Sequence, residues 1–164
     1  MNPHTHLVTL GLGPEIFAVR VSCVIEILAM RDLFRVPDGP PFLAGLADVR
    51  GQAVPVIDLR RKLGLPAVET THQTRIIVLE VQAGGRKLTV GLIADRVIEV
   101  INLPADRIGP PPDVGGSWKS DYIAGVGRHG DGFVIVFAIE SLFSTDEVRH
   151  IAREFSAGPA AVAA

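Results

Sequence analysis

The sequence predicts a mainly β protein made of two similar halves that fold as small barrels. Three observations support this prediction. Short apolar runs recur between turns rich in Gly and Pro at regular spacing, a pattern typical of small closed barrels. Residues 42–63 (FLAGLADVRGQAVPVIDLRRKL) align without a gap on residues 122–143 (YIAGVGRHGDGFVIVFAIESLF). Residues 24–28 (VIEIL) align on residues 97–101 (VIEVI), so the alignments indicate an internal duplication.

Composition and charge favour a soluble protein of the cytoplasm. The 164 residues are 48% hydrophobic, but the longest apolar run, residues 133–139, is far shorter than the roughly 18 residues of a membrane span. The first residues lack the basic and apolar regions of a secretory signal. The single cysteine, Cys23, excludes an internal disulfide. With a net charge of −2 and no basic stripe, we expect no nucleic-acid partner and no direct membrane insertion.

The first half is expected to begin with a hairpin and to continue with a short helix. Residues 6–10 and 16–19 are apolar runs on either side of a Gly-Pro turn. Ser22 is a suitable N-cap for a helix over residues 22–33. One face of that helix would carry an apolar stripe at helical spacing, formed by Val21, Val24, Ile25 and Leu28. A proline-rich loop is expected at residues 37–42.

The duplicated segment supplies two strands and a turn whose composition differs between the copies. Residues 43–49 and 53–59 are the predicted strands of the first copy. Between them lies an Arg-Gly pair, Arg50 and Gly51, where the second copy has a Gly-Asp pair. The strands are therefore common to both copies, whereas the Arg-Gly turn occurs only in the first copy.

The second half repeats this plan after a polar joint at residues 64–74. A hairpin is predicted over residues 75–93. Residues 97–101 are richer in β-branched residues than the segment they align on, which favours a strand there in place of the helix. The predicted barrels thus span roughly residues 6–63 and 75–143.

A helix is also predicted near the C-terminus, over residues 144–155. Ser144 and Glu147 form a capping-box pattern. An apolar stripe at helical spacing follows, formed by Val148, Ile151, Ala152 and Phe155. We expect this helix to dock its stripe on the body of one domain, residues 1–155, and residues 156–164 to form a disordered tail.

Residues capable of catalysis are scattered along the sequence. None of the five histidines lies in a recognisable nucleophile or metal signature. Asp58 and Asp95 are the candidates for a carboxylate pair. A small hydrolase or ligand-binding barrel that uses them with a histidine is an alternative, and it requires those groups to converge in space. We expect a protein that is not an enzyme, with no metal and no cofactor, whose function lies in its surfaces.

Two runs resemble the signature of the CheW family of bacterial chemotaxis coupling proteins. They are residues 45–51, GLADVRG, and residues 54–60, VPVIDLR. Weaker matches extend the resemblance over about residues 6–155. The resemblance implies two intertwined SH3-like barrels of five strands each, without catalysis or cofactor. It also relates the chain to the regulatory domain at the C-terminus of the CheA histidine kinase.

The resemblance implies an adaptor or scaffold for protein–protein interaction in a two-component signalling system. Its partners would be the regulatory domain of a CheA-type histidine kinase and the cytoplasmic signalling tip of a chemoreceptor, so the protein would lie at the periphery of receptor arrays. The residues that match the family's partner-binding positions are Val24, Glu26, Gly45, Asp48, Val49, Arg50 and Gly51.

Asp48 departs from the asparagine that is usual in the family, and Val49 stands in place of leucine. An aspartate two residues before Arg50 is expected to pair with it and to reduce its availability to a partner. A scaffold of a chemosensory pathway that controls something other than motility is therefore the alternative.

Overall fold

The structure, a computed structural model, describes residues 4–83, 85–110 and 122–142. These residues form eleven strands and one short α-helix, α1 (Leu59–Leu63). The strands are β1 (His4–Leu12), β2 (Glu15–Arg20), β3 (Val24–Ala29), β4 (Leu43–Val49), β5 (Gln52–Asp58), β6 (Arg75–Ala83), β7 (Arg86–Ala94), β8 (Arg96–Pro104), β9 (Ile108–Gly109), β10 (Ile123–His129) and β11 (Gly132–Phe137). The predicted fold class, mainly β with a duplicated plan, is confirmed.

The strands form two sheets that each take strands from both halves of the sequence. The first sheet has the order β8-β1-β2-β11-β10-β9, and the second has the order β3-β6-β7-β5-β4. Position by position, β8 corresponds to β3, β1 to β6, β2 to β7, β11 to β5 and β10 to β4. Neither sheet coincides with a contiguous barrel over residues 6–63 or 75–143, because the N-terminal hairpin β1–β2 joins the second half. This exchange is the intertwining that the resemblance implied.

Irregularities in strand pairing recur at aligned positions and show that the duplication extends to the backbone. In the β4–β5 pair the register shifts at Ala44, and in the β10–β11 pair it shifts at Ala124. The β3–β6 pair shifts at Ile25, and the β1–β8 pair shifts at Ile98. Such bulges bend a strand and increase its twist, which lets a small sheet curl. Both sheets therefore bend at corresponding positions.

The helix predicted over residues 22–33 is wrong. Residues Val21–Cys23 form a single 3₁₀ turn, and the chain then enters β3, which pairs with β6. Along β3, half-buried and exposed residues alternate, the period of a strand. Three β-branched residues favour that conformation, and the tertiary partner β6 decides it. The short helix of this half is α1, which Asp58 caps by accepting hydrogen bonds from the backbone N–H groups of Arg60 and Arg61.

The core consists of a cluster shared by the two sheets and a smaller cluster on the other face of each. Strand β1 sends Val8 into the shared cluster and Leu7 into the cluster of the first sheet. Strand β6 likewise sends Ile77 into the shared cluster and Ile76 into that of the second sheet. Because successive side chains of a strand point to opposite faces, these strands are apolar on both. The shared cluster joins the sheets into one unit.

Several predictions fall on residues that the structure does not describe. The terminal helix over residues 144–155 and the tail over residues 156–164 lie outside the described residues. Residues 111–121, between β9 and β10, also lie outside the described residues. Within the described part of the chain, no helix has the length and apolar character needed to cross a membrane.

Candidate partner-binding site

The turn between β4 and β5 has an unusual backbone at Arg50. Val49 pairs with Gln52, so Arg50 and Gly51 are the two central residues of a tight hairpin. Their φ angles are 55° and 81°, the sign pattern of a type I′ turn. Within the described residues only Asp38 shares a positive φ with Arg50 among non-glycine residues. A long side chain in this region is uncommon and carries a conformational cost.

Asp48 holds the turn in this shape. Its Oδ1 accepts a hydrogen bond of 2.9 Å from the backbone N–H of Gly51. An asparagine would accept the same bond through its amide oxygen, so the departure from the family pattern leaves the turn chemistry unchanged. The ion pair that the structure gives Arg50 is with Glu26 rather than with Asp48. The expected pairing of Asp48 with Arg50 is therefore not observed.

Contacts across the turn close the second sheet on itself. Nε of Arg50 lies 3.4 Å from Oε2 of Glu26 on β3. Nη1 of Arg31, just after β3, donates to the backbone oxygen of Asp48 at 3.1 Å. Since β3 and β4 are at opposite ends of the sheet order, these contacts require the sheet to curl until its edges meet. We call Glu26, Arg31, Asp48 and Arg50 the β3–β4 seam.

The charges of the seam differ in their access to solvent. The side chain of Arg50 is 81% exposed, whereas that of Glu26 is 22% exposed. Glu26 is thus the anchored partner and Arg50 the accessible one. The pair contributes little to stability because one member is almost fully solvated. What it does is restrict where the guanidinium of Arg50 can lie.

The other three residues carried over from the family are largely internal. Val49 is 8% exposed and belongs to the core cluster of the second sheet. Val24 is half-buried and packs against the shared cluster. Gly45, at φ 153°, is buried where the chain at Phe34 bridges β4, and a Cβ there would lie 2.6 Å from the Phe34 carbonyl oxygen. All three therefore belong to the packed interior around the seam rather than to its exposed surface.

The structure adds surface residues that the sequence did not indicate. Arg31 is one of them, through its hydrogen bond to Asp48. Exposed apolar side chains near the same edge are the others, and they are Ile25, Ile27 and Phe34. Residues 24–29 are apolar except for Glu26, so the sequence has no alternation that would mark Ile25 and Ile27 as exposed, and the helical interpretation placed Ile25 in the apolar stripe.

The two carboxylates of the alternative site, Asp58 and Asp95, are already engaged in hydrogen bonds and ion pairs within the fold. Asp95 receives hydrogen bonds from the guanidinium of Arg60 and a 2.7 Å bond from the backbone N–H of Gly13. The bond from Arg60 holds the pKa of Asp95 below its usual value, and the same bond raises the pKa of Arg60. Asp58 caps α1 and forms an ion pair with Arg61. In the described ranges, no group of three His, Cys, Asp or Glu residues is placed to hold a metal.

Comparison with known proteins identifies one domain family over most of the chain. The CheW-like domain matches residues 6–147. The chemotaxis protein CheW of Klebsiella aerogenes is 33% identical over 137 residues, which cover 84% of this chain and 80% of that protein. The chemotaxis protein CheW of Treponema pallidum is 30% identical over 152 residues, 89% of this chain and 86% of that protein.

A solved structure has the same fold. The crystal structure of the scaffolding protein TtCheW from Thermoanaerobacter tengcongensis superimposes with a TM-score of 0.77 at 28% sequence identity. The match covers 90% of this chain and 91% of that protein. The two-sheet architecture of this chain is therefore one that a solved structure already shows.

Proposed function

The chain belongs to the CheW-like family, and on that premise we propose that it is a non-catalytic adaptor that couples chemoreceptors to a CheA-type histidine kinase. The observation that carries the proposal is Arg50, a highly exposed cation held at a positive φ and anchored by Glu26. Strain of this kind persists where the surrounding structure enforces it, and it is concentrated at functional positions. A solvated turn could use glycine there without backbone strain, as the second copy does with Gly130.

We assign the β3–β4 seam to the kinase regulatory domain. That domain is related to this chain, so contact between the two homologous barrels is the expected mode. The edge strands β3 and β4 meet at the seam, where Ile25 and Ile27 are 48% and 41% exposed. Two exposed isoleucines on β3 and the exposed Arg50 after β4 are a favourable composition for an interface.

Glu26 prepares Arg50 for such a contact. The ion pair uses Nε, and a guanidinium carries further N–H donors on its terminal nitrogens that can bind a carboxylate. A side chain restricted before binding loses less conformational freedom on association. The partner should therefore present an acidic or carbonyl-rich surface opposite Arg50.

The receptor signalling tip is the second partner in the proposal, and an amphipathic helix laid in an apolar groove is a standard way to recognise it. The protein would act in the cytoplasm at receptor arrays, without nucleic acid and without insertion into the membrane. Transient signalling contacts are often small, which suits a component that transmits changes of state.

Binding to the kinase regulatory domain tests the proposal. We expect Arg50→Asn to weaken binding about tenfold, or about 1.4 kcal/mol, because asparagine tolerates positive φ but lacks the charge. The control is Asp131→Asn in the turn between β10 and β11, which should bind as the unchanged chain does. If titration calorimetry finds the affinity of Arg50→Asn unchanged, the seam is not part of the interface. Failure of the unchanged chain to bind any kinase regulatory domain or receptor tip would refute the adaptor function.

The proposal leaves two alternatives for the output of the pathway, which are motility and a process other than motility. Deletion of the gene and restoration with the unchanged gene or Arg50→Asn separate the two possibilities. Loss of directed swimming indicates chemotaxis. Normal swimming, together with loss of receptor-dependent kinase activity, indicates a pathway that controls something else.

A further inference from the structure

An apolar groove of about 650 Å³ lies between α1 and the first sheet. Its apolar wall is formed by Phe17, Leu63, Leu65, Tyr122, Ile123 and Phe137. The rings of Phe17 and Phe137 stack with centroids 4.9 Å apart, and both residues belong to the shared core cluster. The groove is thus an open extension of the core, which an apolar occupant would complete.

The described chain ends beside this groove. Phe137 lines it, and the backbone N–H of Ala138 donates to the carbonyl of Tyr122, another lining residue, at 2.8 Å. Ile139 and Leu142 then return to the shared cluster, with Leu142 only 1% exposed. The last described residues therefore pack in the same core cluster as the groove residues Phe17 and Phe137.

The sequence after residue 143 differs from its counterpart in the first half. There, Gly64 ends α1 at φ 74°, and Leu65 turns back with its N–H bonded to the carbonyl of Arg60 at 2.7 Å. The residue aligned on Gly64 is Ser144, which favours the start of a helix rather than the end of one. The second half thus lacks the glycine that ends α1 and turns the chain back in the first half.

The segment that follows has the length and composition to fill the groove. Twelve residues, 144–155, would form a helix of about 18 Å. Their apolar stripe consists of Val148, Ile151, Ala152 and Phe155. Asp146 and Glu147 precede the stripe, and two of the three charged residues that line the groove, Arg61 and Lys62 of α1, are complementary to them; the third is Glu15 on β2.

We propose that residues 144–155 dock in this groove, with the stripe against Phe17, Leu65 and Tyr122. The docked segment would join α1 of the second sheet to β2, β10 and β11 of the first. It would cover the apolar wall in the isolated protein, before any partner binds. This inference is independent of the β3–β4 seam, and its failure would leave the proposed function untouched.

Substitution in the stripe is the first test. In the full chain, we expect Ile151→Asp to increase the fluorescence of an apolar dye several-fold, because it uncovers the groove. The unfolding equilibrium constant should rise at least about tenfold, since apolar burial is lost. His150→Asp introduces the same charge on the polar side of the predicted helix and should change either quantity less than twofold. Equal behaviour of the two variants would overturn the proposal.

A spin label is the second test, and it does not depend on the stability of a stripe variant. In a Cys23→Ser background, the label is placed at Arg61→Cys on the groove rim or at Lys87→Cys. Lys87 is about 20 Å along β7 from Ile93, the residue that pairs with Asp58 just before α1. We expect the label at position 61, and not that at position 87, to broaden the amide signals of residues 144–155.

Other occupants give different results in the same measurement. Broadening that appears only when labelled and unlabelled chains are mixed would place a second copy in the groove. Unbroadened signals in the isolated chain, with shifts of Leu65 and Ile123 on adding a receptor-tip helix, would assign the groove to that partner. Either result would overturn intramolecular docking.

Discussion

Arg50 and Gly130 occupy the same position in two aligned hairpins, yet their turns are built differently. In the first turn φ is positive at both central residues, Arg50 and Gly51. In the second turn φ is positive at Gly130, and Asp131 is not among the described residues with positive φ, the pattern of a type II′ turn. Both turn types suit the twist of a β-hairpin. The scaffold therefore does not require an arginine at this position.

The glutamates of the repeat show the same divergence. Glu26 lies 3.4 Å from Arg50 at the tip of its turn, whereas Glu99 lies 3.7 Å from His129, one residue before its turn. An arginine is charged at all physiological pH values, but a histidine is charged only when protonated. The first hairpin thus carries an arginine at the tip of its turn, whereas the second carries Arg128 and His129 on the strand before its turn. This difference between the two hairpins supports the proposal that the first turn is a partner contact.

The largest effect is expected from the glycines that precede these turns. Gly45→Ala should destabilise the fold by about 3 kcal/mol, because its Cβ would lie 2.6 Å from the Phe34 carbonyl at a φ that alanine rarely adopts. Gly125→Ala should cost about 2 kcal/mol, since it meets Ile108 and Gly109 without the unfavourable φ. Chemical denaturation measures both. Equal losses would show that backbone strain at Gly45 is unimportant.

The ion pair between Arg60 and Asp95 has no counterpart in the duplicated half, where Glu140 and Ser22 align on these residues. Asp95→Asn should lower the free energy of unfolding by about 2 kcal/mol at neutral pH. Because the folded state lowers the pKa of Asp95, this stabilisation is present above the unfolded pKa of about 4 and is lost as pH falls through the folded pKa.

The pH dependence provides the control for that substitution. The difference in stability between the unchanged chain and Asp95→Asn should be constant from about pH 5 to pH 7 and should shrink below about pH 4. A difference that stays constant down to acid pH would mean that the carboxylate charge contributes nothing.

The smallest effects on stability are expected at the seam. Glu26→Gln should change the free energy of unfolding by less than about 0.5 kcal/mol, because Arg50 is 81% exposed. Arg50→Gly should change it by less than about 1 kcal/mol, since relief of the positive φ offsets the greater freedom of glycine in the unfolded chain. Larger losses in thermal unfolding would show that the seam serves the fold rather than a partner.

The duplication made most of the fold predictable from the sequence. The aligned segments gave β4, β5, β10 and β11, and the alternation of apolar runs with turns gave the two hairpins β1–β2 and β6–β7. The helix assigned to residues 22–33 failed because the spacing of Val24, Ile25 and Leu28 fits a helix as well as a bulged strand. Pairing with β6, which is distant in sequence, resolved that ambiguity.

The site was predictable only in part. The unlike pair in the aligned turns pointed to Arg50, but no local pattern could show that Glu26 reaches it. That contact exists because the sheet curls until β3 meets β4, and such closure depends on long-range pairing. The same closure brings Arg31 to Asp48. Val49 also has no local feature that distinguishes a buried position from an exposed one.

Exchange of the two turns tests the central claim that the side chain of Arg50 makes the first hairpin a partner contact. One variant carries Arg50→Gly with Gly51→Asp, which installs the second turn on the first hairpin. Its reciprocal carries Gly130→Arg with Asp131→Gly. Affinity for the kinase regulatory domain is measured by titration calorimetry, with chemical denaturation to confirm folding. We predict that the first variant remains folded and binds about tenfold more weakly, while the reciprocal binds normally. Full affinity of a folded first variant would contradict the account.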